Sequence, residues 1–98
     1  MPKLEYRRLS PAEIEEEVGG LNGWSVAETL LIKTFEFDSY QKGLVFATAV
    51  GYLGDKMDHH PDMQIGYLKV SIALTTHAAD GISPYDIELA RRIDSLLG

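Results

Sequence analysis

Leu68-Lys69-Val70-Ser71-Ile72-Ala73-Leu74-Thr75 is the stretch on which the fold turns. Apolar and polar residues alternate along it with the period of two that a strand imposes, because successive side chains leave a pleated backbone on opposite sides. Leu68, Val70, Ile72 and Leu74 point one way; Lys69, Ser71, Ala73 and Thr75 point the other, in phase with Tyr67. If the alternation persists, His77 leaves on the second face, away from the core. Gly81 then belongs to the loop that follows.

Upstream, the segment from Asp38 to about Asp58 reads as the longest helix, with Asp38 and Gln41 as a capping pair. Phe46, Ala49, Val50, Leu53 and Met57 fall on one continuous apolar stripe. Gly43, Ala47 and Gly51 form a second row of small residues. Glycine costs about 1 kcal/mol in a helix interior, so this row implies close packing, either on the sheet or against another subunit. Thr29 to Phe37, rich in branched and aromatic residues, reads as a strand, and Gln64 to Gly66 extends or precedes another. Asn22-Gly23 is the candidate hairpin turn, and Trp24 a core or interface anchor.

Both ends of the chain read as helical. Ser10-Pro11-Ala12-Glu13 is a helix start: Ser10 can cap, Pro11 suits the first position, and Glu13 can reach back. Ile14, Val18 and Leu21 give that helix its apolar side, and Gly19-Gly20 stops it. The acidic run Glu13, Glu15, Glu16, Glu17 is a solvated face favoured by the helix N-terminal dipole. Residues 1–9 show no period and read as a ragged end or a short edge segment. Ser83-Pro84-Tyr85-Asp86 starts the last helix, whose stripe is Leu89, Ala90, Ile93, Leu96 and Leu97. Asp86 is in phase with that stripe, so its carboxylate either completes the Ser83 cap or aims into a cleft. The order of elements predicts an α+β fold, with helices on one face of a largely antiparallel sheet.

Composition bounds the function. Ninety-eight residues make one domain, 1–98, and 45% hydrophobic residues can fill a single core. With no cysteine there is no disulfide framework, thiolate metal site or cysteine nucleophile. No apolar run approaches the roughly 20 residues of a membrane helix, and no signal peptide is recognised, so no membrane association and a cytoplasmic location are expected. Nine Lys and Arg against fifteen Asp and Glu give a net charge of −6. The basic residues are scattered, which argues against nucleic acid as a partner.

The chemistry concentrates in the histidines: His59 and His60 adjacent before Pro61, and His77 at the end of the clean strand. Pro61 disfavours helical geometry at His60, so the helix is expected to end near His59, and a break there lets both imidazoles turn toward one cleft. Histidine exchanges protons near neutral pH, and a neighbouring carboxylate can fix its tautomer. Asp55, four residues before His59, would share a helix face with it. No nucleophile elbow, phosphate loop or dinucleotide fingerprint accompanies them. Three His and an Asp could instead hold zinc or iron, although adjacent His-His is poor spacing for two ligands on one helix face.

Taken together, Asp55-Lys56-Met57-Asp58-His59-His60-Pro61, then Tyr67, Thr75-Thr76-His77, and Asp86 within the stretch Gly81 to Ile87, resemble the pterin-4a-carbinolamine dehydratase family. Gly23-Trp24 and Phe35-Glu36-Phe37-Asp38 match its amino-terminal half more loosely. The likeness spans roughly residues 10–97. It implies a four-stranded antiparallel sheet with three helices on one side, and a homodimer or homotetramer to which the long helix contributes. It further implies loss of water from a 4a-hydroxytetrahydropterin to give the quinonoid dihydropterin, with no metal and no organic cofactor. Carried over by position, His59, His60 and His77 are the active-site imidazoles, Asp55 their acidic partner and Asp86 the terminal carboxylate. The pterin would contact Asp58, His59, His60 and Pro61, together with Thr76, His77, Ala78 and Ala79. Relatives of this kind also serve as non-catalytic binding partners of transcription factors, which is the alternative role. Asp55 stands where a longer glutamate is common, which shortens its reach.

Overall fold

A computed structural model describes residues 4–98 of the chain; the first three residues of the expected ragged end lie outside the described part. The fold is α+β. Helix α1 (Pro11–Gly19) leads into strands β1 (Ser25–Ala27) and β2 (Leu30–Glu36), helix α2 (Tyr40–Met57), strands β3 (Asp62–Ile65) and β4 (Lys69–Leu74), a 3-10 turn (His77–Ala79) and helix α3 (Pro84–Ser95). The four strands form one sheet in the order β1-β2-β4-β3, antiparallel at every pairing.

Helix α1 starts where its cap requires. Ser10 Oγ accepts from the Glu13 amide at 3.2 Å, and Glu13 Oε1 accepts from the Ser10 amide at 2.9 Å. These reciprocal bonds satisfy two donors that the first turn leaves without intrahelical partners. Asn22-Gly23 is not the hairpin turn. Gly23, at φ +82°, turns the chain from α1 into β1, while the β1–β2 hairpin closes at the Ala27–Leu30 pair over Glu28 and Thr29. Helix α2 is capped by Ser39, whose Oγ accepts from the Lys42 amide at 3.2 Å, rather than by Asp38 and Gln41. Asp38 instead pairs with Lys42 Nζ at 2.9 Å, and that contact holds its exposed carboxyl below the usual carboxylate range.

The core lies between one sheet face and the helices. Val70, Ile72 and Leu74 of β4 and Leu31 and Phe35 of β2 meet Phe46, Ala47 and Val50 of α2 and Ile87, Leu89 and Ile93 of α3. Of the small-residue row, Gly43 and Ala47 are buried on the sheet side. A side chain on Gly43 would meet Val70 Cγ2 at 3.4 Å, whereas one on Gly51 would meet nothing within 4 Å. Trp24 is a core anchor: its Nε1 donates to Asp94 at 3.0 Å, and Lys33 Nζ reaches the same carboxylate at 2.9 Å. Leu68, Leu96 and Leu97 depart from the expected core and are exposed, because Leu68 lies in the turn before β4 and α3 ends at Ser95. The second sheet face stays open, with Thr34 Oγ1 and Ser71 Oγ hydrogen-bonded across it at 2.9 Å. Among the described residues no helix is long and apolar enough to cross a membrane.

Candidate active site

The site begins where α2 stops. The helix ends at Met57, close to the expected end at about Asp58, because Asp58 takes the left-handed conformation (φ 50°, ψ 42°) and the His59 amide folds back onto the Gly54 carbonyl at 2.9 Å. This six-to-one bond around a left-handed residue is the Schellman way of ending a helix. It requires Gly54. A Cβ there would stand 2.8 Å from Pro61 Cδ and 3.0 Å from the His59 carbonyl oxygen.

The turn separates the two adjacent histidines. His59 points inward and is 8% exposed, whereas the His60 side chain is 62% exposed. Asp55 therefore does not pair with His59. Its Oδ1 is 2.9 Å from His60 Nε2, near the protein surface. The i, i+4 relation of Asp55 to His59 needed a helix continuing through Asp58, and the left-handed residue removes it.

His59 meets Asp86 instead, Nε2 to Oδ1 at 2.5 Å. Asp86 is fully buried, and of the two roles open to it from the sequence it fills the cap, with His59 and Thr76 rather than a cleft around the rest of its carboxylate. Its Oδ2 accepts from the Ser83 amide at 2.9 Å, completing the start of α3, and from Thr76 Oγ1 at 2.8 Å. Its Oδ1 serves His59. Thr76 Oγ1 and Ser83 Oγ lie 2.7 Å apart, so with the Thr76 proton directed at Asp86, the Ser83 hydroxyl donates to Thr76. A carboxylate accepts only, so the neutral His59 ring carries its proton on Nε2 and presents its lone pair on Nδ1.

His77 opens the 3-10 turn and is exposed, as are Ala78 and Asp58; Pro61 and Ala79 are half-buried. Backbone connects His77 to the buried cluster, since its neighbour Thr76 bonds Asp86 and closes a bridge with Gly81 at 2.9 Å. Among the described residues, no side-chain hydrogen bond links His77 to His59 or His60, and no group of three His, Asp or Glu side chains is placed to hold a metal ion. The Thr76 side chain is buried and committed to Asp86 and Ser83. Three contributors escape a reading of the sequence. Gly54 is one more small residue in a helix that has several, and Ser83 reads only as a cap. Tyr85, whose ring lies 5.6 Å from that of His59, reads only as a residue of the first helical turn.

Comparison with known proteins converges on one family. The family described as pterin 4 alpha carbinolamine dehydratase matches residues 7–96. A Sulfurisphaera tokodaii protein provisionally named pterin-4-alpha-carbinolamine dehydratase is 43% identical over 91 residues, covering 93% of this chain and 98% of its own. A Natronomonas pharaonis protein with the same provisional name is 43% identical over 89 residues, covering 91% and 95%. Among solved structures, a transcriptional coactivator/pterin dehydratase from Brucella melitensis superposes with a TM-score of 0.89 at 28% identity, over 94% of this chain and all of that one. A pterin dehydratase-like protein identified as a RuBisCO assembly factor in the alpha-carboxysome gives a TM-score of 0.66 at 26% identity, over 79% and 92%. With the match spanning nearly every residue from the N-terminal arm to the end of α3, this chain belongs to the pterin 4 alpha carbinolamine dehydratase family.

Proposed function

We propose that the protein dehydrates a 4a-hydroxytetrahydropterin to the quinonoid dihydropterin and water by histidine acid–base catalysis. One observation carries the reading. Two consecutive imidazoles hold two separate carboxylates, one pair buried (His59–Asp86) and one exposed (His60–Asp55). The reaction needs two unlike groups. Hydroxide is a poor leaving group, so an acid must protonate the 4a oxygen as its bond to carbon breaks. The electron pair of the adjacent ring nitrogen then forms the new double bond, and a base takes the proton that nitrogen loses. Each transfer contributes roughly 10²–10⁴-fold.

The surroundings of the two pairs suit them to different parts. His59, its Nε2 proton committed to a buried carboxylate, offers Nδ1 as a fixed base or positioning group. His60, reached by solvent and facing Asp55, is suited to exchange protons and act as the acid, with His77, one residue after Thr76, a second exposed imidazole. Asp58, Pro61, Ala78 and Ala79 would border the pterin, Ala78 and Ala79 through backbone groups. The test is a dehydration assay on chemically prepared 4a-hydroxytetrahydropterin, with His59→Ala, His60→Ala and His77→Ala run beside the wild type. Turnover should fall in these variants with the fold retained, and undiminished turnover in all three defeats the reading.

A second role rests on a different surface. Tyr40, Leu44, Val45 and Tyr52 stand exposed along the outer side of α2. We assign this face to self-association, as a homodimer or homotetramer. A binding role without catalysis, as the coactivator and assembly-factor descriptions of two structural relatives suggest, would leave partner capture intact in histidine variants and show no dehydration by the wild type.

A further inference from the structure

The N-terminal arm crosses the start of α3 beside the site. Leu9 is buried, and its amide donates to the Ile82 carbonyl at 2.8 Å. The Arg8 side chain lies on Gly81, where an added Cβ would meet Arg8 Nε at 3.2 Å. Beyond these anchors, Tyr6 stacks on Tyr85 with ring centres 4.4 Å apart and planes 14° from parallel. The Tyr85 ring in turn faces His59 at 5.6 Å, tilted by 41°. Three rings therefore run from the arm through α3 to the imidazole that holds Asp86. Tyr6 is itself 53% exposed, so its ring can be replaced without opening the core. The neighbouring Tyr85 side chain raises the Tyr6 phenol above its ordinary value.

We propose that Tyr6 is a positioning residue which, by clamping the Tyr85 ring against His59, fixes that imidazole and keeps water from the His59–Asp86 pair. The catalytic consequence rests on the dehydratase reading, whereas the shielding does not. An open flank beside Tyr85 would let the His59 ring rotate and let water compete for Asp86 Oδ1. The aromatic stack closes that flank, leaving Nδ1 as the nitrogen available for proton transfer.

The experiment reads the Nε2 proton of His59 by NMR in ligand-free full-length protein, and then kcat and KM in the dehydration assay. In the wild type the proton should give a downfield signal protected from exchange with water. Tyr6→Ala, at an exposed position, should fold normally by circular dichroism yet exchange that proton about tenfold faster, as expected when a local opening becomes easier. Its kcat should fall about threefold or more while KM changes less than twofold. Tyr6→Phe keeps the ring and should restore both. Tyr6→Leu, an apolar side chain that cannot stack, should behave as Tyr6→Ala. An unprotected wild-type proton, a Tyr6→Ala exchange rate within twofold of wild type, or failure of Tyr6→Phe to restore it overturns the proposal. A wild type inactive on the pterin overturns the dehydratase reading alone, because the exchange measurement needs no substrate.

Discussion

Asp86 has no exposed surface, and its carboxylate accepts from His59, Thr76 and the Ser83 amide. Replacing it with Asn puts an amide nitrogen where an acceptor is needed, facing either His59 or the two donors at Oδ2. Hydrogen bonds to a buried charged group are worth about 1.5–3 kcal/mol, so Asp86→Asn should destabilise the protein by about 2 kcal/mol in urea unfolding and also lower turnover. His60→Gln is the contrasting case. Its exposed pair with Asp55 contributes little to stability, so unfolding should change by less than about 0.5 kcal/mol. If His60 is the acid, turnover should nevertheless drop by roughly 10²-fold or more. A His60→Gln enzyme that unfolds early but turns over normally would invert both assignments. At this scale the residues were legible as types, and their partners were not. A carboxylate four positions before an imidazole implies a pair only while the helix continues. One left-handed residue, Asp58, breaks the helix, and His59 finds a carboxylate twenty-seven positions away in sequence.

Elements are legible in the sequence where periodicity carries the signal, and their ends are not. Strand β4 and the buried stripe of α2 follow from alternation and from the helical repeat, because burial on one side imposes both. Turns follow from backbone angles that several residues can adopt at some strain. The chain places Glu28 at φ 57° in the β1–β2 hairpin, a residue that carries none of the Asn-Gly signal such turns usually show. Glu28→Gly should therefore stabilise the protein, by up to about 1 kcal/mol: relief of left-handed strain is partly offset by the entropy glycine loses on folding. A lower thermal midpoint in that variant would contradict the strain argument. Gly54→Ala works in the opposite sense. Its Cβ would overlap Pro61 and the His59 carbonyl, and overpacking of this kind costs about 1–3 kcal/mol. The Pro61 turn would have to shift, so turnover should fall together with stability. The start of α1 adds a pH signature. The Ser10 amide, and after it Arg7, hold the Glu13 carboxyl below its ordinary value of 4.5. A lowered folded-state value means a contribution fully present above pH 4.5 and lost as the pH falls through the folded-state value. Urea unfolding of wild type and Glu13→Gln should differ at pH 7, and the difference should shrink as the pH falls below 4.5. Gln keeps the capping geometry, so a difference that persists in acid would mean the carboxylate charge is not what stabilises this end.

The whole molecule buries one face of α2 and leaves several large apolar side chains exposed on the rest of it. Phe46, Ala47 and Val50 fill the core, whereas Tyr40, Leu44, Val45 and Tyr52 face outward. Large apolar side chains scattered singly need no explanation, but four along one helix face form a patch of the kind that marks an interface. A second copy of the same helix is the simplest occupant, since a two-fold axis lets one self-complementary patch serve both subunits. Stable interfaces bury about 800 Å² per partner, which would be a substantial part of this molecule's 6132 Å² surface. Sedimentation should therefore give a mass at least twice the 10.9 kDa of the chain. Tyr52→Glu should return it to the chain mass with the circular dichroism spectrum unchanged, because a carboxylate on each copy would have to be buried at the contact without a partner. Wild-type protein that sediments at the chain mass at micromolar concentration would show that the α2 face does not join copies of this chain.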